Sequence, residues 1–255
     1  MTQTQRTNPY GSLCAEIYDI DKPAGSLPDV PFYLERLKSV GGPILEPACG
    51  SGRMLIPLME AGHEVEGFDP SDHMLENLRR NCAARGLAPN VRKASFQDFQ
   101  CARTFAAAIC SVGTFTFVAD FQEALDVLRR LHEHLDPGGL LMIDLPVLGA
   151  MWTDAHAIRT WTAANGDLLR FENQLVETDH LRQTSTSHMR YERWREGRLL
   201  ESELEVMRGR FWGREEFVMA LEKAGFGEVQ VFGSYDRTRK PRRTDRGLTF
   251  EAVKA

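Results

Sequence analysis

The chain has 255 residues, with 31 Lys plus Arg against 36 Asp plus Glu and a formal charge of −5. Apolar residues make up 42% and charged residues 26%, enough to bury a core and incompatible with collagen-like, disordered or disulfide-stapled classes. The negative balance repels a polyphosphate at long range, so nucleic acid is not an expected partner. Five scattered cysteines (Cys14, Cys49, Cys82, Cys101, Cys110), none spaced as CxxC, predict neither a disulfide framework nor a metal site. The polar start MTQTQRTNPYGSL lacks the apolar centre of a signal peptide, and no stretch approaches about 18 apolar residues. A cytoplasmic chain with no membrane association is expected.

In chain order, residues 1–43 are polar at first, with a short mixed segment from Leu13 to Tyr18 and a helix from Val30 to Val40 that the GGP at 41–43 ends. From residue 44 strand-like and helix-like stretches alternate at the spacing of βαβ units, which predicts a mainly parallel sheet covered on both faces. Ile44–Glu46, 63–69, Val91–Ala94, Phe105–Ser111 and LLMIDL (140–145) read as its strands. Between them come a helix from near Arg53, a helix capped by Ser71 and stopped at Gly86, and a helix capped by Asp120. Leu168–Glu177, Thr184–Trp194 and Leu199–Arg210 alternate and are polar, and Glu196-Gly197 suits a hairpin turn between the last two. They predict antiparallel strands inserted over one edge of the core. A helix Glu215–Ala224 precedes GEVQVFGSY and LTFEAVKA, which a short loop forces to pair antiparallel. The expected whole is one Rossmann-like α/β domain: a cap segment (1–43), a doubly wound ligand-binding core (44–145), an antiparallel insertion (146–210), and a C-terminal helix and strand pair (211–255).

Chemistry concentrates in ILEPACGSGRMLIPL (44–58), a strand ending in an acid, then Ala-x-Gly-x-Gly at a helix start. Such a turn brings the backbone close to a ligand and leaves free N–H groups at the helix start. Leu55 stands where a nicotinamide fingerprint needs a small residue, and no Lys-Ser/Thr pair follows to make a phosphate loop. Glu46 would also face a pyrophosphate, a like-charge contact costing about 4 kcal/mol at 4 Å and ε ≈ 20. The ligand is therefore neutral or cationic where a phosphate would otherwise sit. Asp69, ending the second strand, suits a ribose diol.

With these motifs the sequence resembles the class I S-adenosylmethionine-dependent methyltransferases of small-molecule type. The matches are Glu46-x-Ala-x-Gly50-x-Gly52, Gly67-Phe68-Asp69-x-Ser71, Gln97-Asp98-Phe99, Ala124-Leu125 with LHEHLDPGGLLMID, and Ala224-Gly225-Phe226. Ala48 replaces the more usual glycine. The resemblance implies S-adenosylmethionine as cofactor and S-adenosylhomocysteine as product. It places Ala48, Gly50, Gly52 and Arg53 in the loop under the methionine portion, with Glu46 toward its ammonium. Asp69 is implied at the ribose, Asp98 at the adenine amino group, and Phe99 or Met74 on the ring. Ser111 with Gly113-Thr114-Phe115 would line the cleft, and Tyr18 resembles the tyrosine of an N-terminal segment that closes over the cofactor.

The implied reaction is in-line transfer of a sulfonium methyl group to a nitrogen, oxygen or carbon nucleophile of a small molecule, by a monomer or homodimer. Alignment and exclusion of water carry such a reaction, and a general base is needed only if the acceptor must lose a proton. Tyr18, His188 and Tyr191 are the catalytic candidates. Trp152, Trp161, Trp194, Trp212 and Tyr235 are acceptor-pocket candidates, with packing as the alternative. The basic run Arg237 to Arg246 reads as a solvated loop. A regulatory protein that binds S-adenosylmethionine without catalysis is the alternative function. A nucleic-acid methyltransferase is disfavoured, because Ser111-Val-Gly-Thr-Phe stands where amino-methylating DNA enzymes carry Asn/Asp-Pro-Pro-Tyr.

Overall fold

Alternation along the central strands settles how the chain is layered. In a computed structural model describing residues 10–147 and 156–255, β4 (Phe105–Cys110) sends Phe105, Ala108 and Cys110 to one core and Ala107 and Ile109 to another. A strand with both faces buried needs helices on both sides. The first core gathers α5 (Phe121–Glu133) and α6 (Arg214–Lys223). The second gathers α2 (Asp29–Leu37), α3 (Leu55–Glu60) and α4 (Asp72–Ala83). The remaining strands of this sheet are β1 (Ile44–Pro47), β2 (Val65–Asp69), β3 (Asn90–Lys93), β5 (Leu135–Pro146), β10 (Phe226–Gly233) and β11 (Gly247–Lys254). Their order is β10-β11-β5-β4-β1-β2-β3, with β11 antiparallel to both neighbours. The expected doubly wound sheet with an antiparallel C-terminal strand is thus present. Its order reverses between β1 and β4, which places a crevice at their carboxyl ends.

The local signals read from the sequence hold where side chains meet backbone. Ser71 Oγ accepts from the N–H of Met74 at 3.2 Å, and Asp120 accepts from that of Glu123 at 2.9 Å, each satisfying an orphan donor of a helix start. Glu196 and Gly197 both take positive φ at the tip of the hairpin joining β8 (Thr184–Arg195) to β9 (Arg198–Arg210).

The insertion is a sheet of four antiparallel strands in the order β6-β7-β8-β9, where three strands are expected. The extra member is β6 (His156–Thr162), which pairs with β7 (Leu168–Asp179). A second difference lies in the cap segment, where the mixed stretch at 13–18 forms α1 (Ser12–Asp21). Gly11, at its start, offers no side-chain cap. The cap comes from β9, where Glu203 accepts from the N–H groups of Leu13 and Cys14, each at 3.0 Å, and Glu205 accepts from that of Gly11 at 2.9 Å. A carboxylate at the positive end of a helix is favourable on both counts, hydrogen bonding and dipole.

On its other side α1 meets α4, where the Asn77 amide donates to the Ala15 carbonyl at 3.2 Å. Ion pairs of Arg193 with Glu16 and Arg159 with Asp21 add to the second-sheet contact. α1 therefore ties the two sheets together. Among the described residues no helix is long and apolar enough to cross a membrane. Glu203→Ala, which strips the cap from α1, is expected to lower unfolding free energy in urea by about 1–2 kcal/mol.

Candidate functional site

The carboxyl ends of β1, β2 and β5, with the start of α2, bring four carboxyl groups out of water. Glu46, Asp69 and Asp144 are at most 5% exposed, and Asp29 on α2 is wholly buried. Glu46 Oε2 is buried without a hydrogen-bond partner. Desolvation, reinforced by Asp29 and Asp69 and opposed by Arg53, pushes its pKa up to about 8. Asp69 is likewise pushed up by burial, to about 6, although it accepts from the N–H groups of Gly50 and Ser71, each at 2.9 Å. Those two bonds take one lone pair of each oxygen, and each oxygen keeps another acceptor position.

Arg53 supplies the positive charge. Its guanidinium meets Asp29 in a bidentate pair at 2.8 and 2.7 Å and donates to Ser111 Oγ at 2.7 Å. No hydrogen bond joins Arg53 to Glu46 among the described residues. Arg53 is spent on α2 and on the end of β4, so Glu46 is left to whatever enters the crevice.

The loop between β1 and α3 is shaped for close approach. Gly50 has φ +55°, and a Cβ there would meet nothing within 4 Å, so open space lies above it. Gly52, at φ +91°, has no such room, since a Cβ would sit 3.0 Å from Ile56 and 3.1 Å from Leu78. Ala48 takes φ +52° in the same loop. An L-residue in this region costs roughly 1–2 kcal/mol.

The other sequence candidates divide. Tyr18, on α1, is half-buried, with its hydroxyl facing Arg53 and its ring edge-on to Tyr10 at 6.3 Å. Burial raises the Tyr18 pKa, which Arg53 partly opposes. Met74, at the first turn of α4, is buried beside the Ser71 cap. Asp98 is exposed, and its Oδ1 accepts from the N–H and hydroxyl of Ser95; these bonds hold its pKa down. Phe99 does not front the crevice. It is wholly buried and stacks on Phe68 at 4.7 Å, because its position in the loop after β3 turns it into the first core.

His188 and Tyr191 are not brought together. Three positions apart on β8 in unbroken register, they lie on opposite faces of the second sheet. Tyr191 packs with Leu13, Cys14 and Ile17 of α1, and burial drives its phenol far above the usual range, which disqualifies it as a base. His188 lies on the face turned away from α1.

Trp212 packs among Phe121 and Phe217, and Trp194 donates to Glu192 at 3.0 Å. Trp161 borders the cluster that α1 forms with β7 and β8. Trp152 lies outside the described residues. In the basic run, Arg239 pairs with Asp236 and Asp245, and Arg237 with Glu251, as suits a surface loop.

The sequence reading missed Asp29, which nothing in DVPFYLERL marks as functional, and Asp144. The second was signalled by an acid closing the apolar run LLMID.

Compared with known proteins, residues 44–139 match the family model described as a methyltransferase domain. The chain is 30% identical over 104 residues to a cypemycin N-terminal methyltransferase of a Streptomyces species, covering 41% of this chain and 42% of that protein. It is 26% identical over 141 residues to a dTDP-3-amino-3,6-dideoxy-alpha-D-glucopyranose N,N-dimethyltransferase of Streptomyces fradiae, covering 53% and 54%. The chain thus spans about half the length of these curated relatives. In structure it resembles the sugar N-methyltransferase KedS8 of a Streptoalloteichus species, with a TM-score of 0.75 at 23% identity, covering 100% of this chain and 99% of that one. Ala48→Gly is expected to raise stability by up to about 1 kcal/mol, the left-handed cost less the unfolded-chain entropy that glycine adds. The shift in urea midpoint measures it.

Proposed function

We propose, on the premise that this chain is a class I S-adenosylmethionine-dependent methyltransferase by domain match and by fold, that it moves a methyl group to the amine of a small molecule. The observation that carries the reading is Glu46, a buried carboxyl group with one oxygen unpartnered beside a glycine turn that has open space above it. A buried acceptor without a donor costs free energy unless a ligand supplies one. An ammonium does so, and the remaining acceptor positions of Asp69 match a ribose diol. The residues present therefore fit a nucleoside with a zwitterionic tail.

When bound, S-adenosylmethionine supplies an already activated sulfonium methyl group. In this reading Glu46 holds the amino-acid tail, Asp69 the ribose hydroxyls, and Gly50 and Gly52 let the backbone lie close beneath. Ala48 belongs to the same loop, and Met74 stands at the ring side. Arg53 keeps its place as a bridge between Asp29 and Ser111, and so sets where β4 ends relative to β1. Tyr18 covers the crevice from α1 and keeps water out, where a well-oriented pair of reactants gains roughly 7–11 kcal/mol. Amine acceptors are supported by the N-methyltransferase names of the relatives. No general base is assigned, since an amine that arrives neutral can be attacked without one.

Because Glu46 must be ionised to meet an ammonium and ionises near pH 8 in the free chain, affinity for S-adenosylhomocysteine is expected to rise between pH 6 and about 8. Binding at pH 7 should then release a proton, read by calorimetry in buffers of different ionisation enthalpy. Glu46→Gln should weaken binding and flatten the rise. Asp69→Ala should weaken binding more than tenfold, since charge-assisted bonds of about 1.5–3 kcal/mol are lost. The activity itself is tested with methyl-labelled S-adenosylmethionine and a panel of amino acids and amino sugars. Label in an N-methyl product is the expected result, and binding without label transfer refutes it.

A further inference from the structure

Asp144 interrupts an apolar row. Leu140 and Met142 of β5 face the second core, and Asp144 takes the next place on that face, 4% exposed. Three donors converge on it: the Thr249 hydroxyl at 2.6 Å, the Val112 N–H at 3.0 Å and the Tyr235 hydroxyl at 3.2 Å. Two of these donors belong to residues at positive φ, Val112 at +50° and Tyr235 at +58°. Each lies in a tight turn with two left-handed central residues. The Thr114 N–H reaches the Ser111 carbonyl at 3.3 Å around Val112-Gly113, and the Asp236 N–H reaches the Gly233 carbonyl at 3.1 Å around Ser234-Tyr235.

Turns of this kind call for Asn, Asp or Gly at their centres. A β-branched valine is among the residues least suited to it. Strain of that sort persists only where the surroundings over-determine it, and it gathers at functional sites.

Among the described residues no apolar cluster takes in the valine. Its side chain is 42% exposed, so packing does not explain it. Its place is informative: Val112 follows Ser111, whose hydroxyl holds Arg53, at the end of β4, and β4 pairs directly with the β1 strand that carries Glu46. An apolar group is thus held in an unfavourable conformation at the mouth of the crevice.

We propose that Val112 sizes the acceptor at this mouth, and that Asp144 is the positioning residue that keeps it there by gripping its peptide N–H. The proposal rests on the methyltransferase reading above. Val112→Asn preserves the turn and relieves the strain. It is expected to raise the melting temperature and to leave the S-adenosylhomocysteine dissociation constant within twofold. It should also lower kcat/KM at least tenfold for the amine that the wild-type chain labels best, chiefly through KM, and narrow its preference over other amines of the panel.

Asp144→Asn should lower kcat/KM in the wild-type background and add nothing in the Val112→Asn background, where the turn no longer needs holding. Additive losses make Asp144 merely structural and overturn its role. If Asp144→Asn does not fold, Val112→Asn alone decides, because an unchanged kcat/KM and unchanged preference overturn the proposal. A wild-type chain that binds S-adenosylhomocysteine but labels no amine overturns the methyltransferase reading, and this proposal with it. An active wild type with an equally active and equally selective Val112→Asn overturns this proposal alone.

Discussion

Buried negative charge at one edge of one sheet is the constraint to which the rest of the structure answers. Asp29, Glu46, Asp69 and Asp144 are all withdrawn from water there, and carboxylates so placed must be hydrogen-bonded, neutralised or left protonated. Each is met differently. Asp29 takes a bidentate guanidinium, Asp69 takes two backbone N–H groups, and Asp144 takes two hydroxyls and a backbone N–H. Glu46 takes nothing from the protein on one of its oxygens. Of these four carboxyl groups Glu46 therefore keeps an oxygen open to a cation, and the same withdrawal from water that makes Glu46 costly makes its bond to an ammonium strong.

The helix α1 shows how the second sheet enters this arrangement. Its start is capped by Glu203 and Glu205 of β9, its middle is held by Asn77 of α4, and its last turns bring Tyr18 to Arg53. One short helix thus touches the inserted sheet, the wall of the crevice and the cation within it. Glu205 is itself raised by burial to about 7, against the opposing bond from Gly11. The carboxylates on β9 are structural partners of α1, and this is why the inner face of β8 offers Tyr191 to packing with α1 and not to chemistry.

Much of the core was legible because its signals are local. Alternation at β4, the Ser71 and Asp120 caps, and the glycines at 50 and 52 all act within a few residues of where they are read. Of the candidate site residues, Glu46, Gly50, Gly52 and Asp69 were read from local motifs, and the structure places them at the ends of the adjacent strands β1 and β2. What failed to show is non-local. α1 has no cap of its own, and its partners lie some 190 residues away. Asp29 acquires meaning only through Arg53, 24 residues on. Phe99 follows an acid in a loop and reads as a ring available for stacking, yet Phe68 of the neighbouring strand claims its face. His188 and Tyr191 both read as catalytic candidates, whereas the two-residue period of a strand puts them on opposite faces.

The placement of backbone strain follows from the same division between local and distant causes. Tyr10, Ala48, Val112 and Tyr235 all take positive φ without being glycine, and all four lie around the crevice or the Asp144 cluster behind it. Others, such as Glu196, occupy hairpin tips where such angles are routine. A left-handed alanine or valine has no local reason to exist, so something distant must hold it. For Val112 that agent is visible, a carboxylate on the adjacent strand β5 bonded to its N–H. For Tyr10 it is the Ser71 hydroxyl, which donates to its carbonyl at 2.8 Å. The side chains that cap helices and close turns elsewhere in this molecule are here turned to holding the backbone where its own preferences would not leave it. That is a reason to look for the protein's selectivity at these positions and not in its well-packed cores.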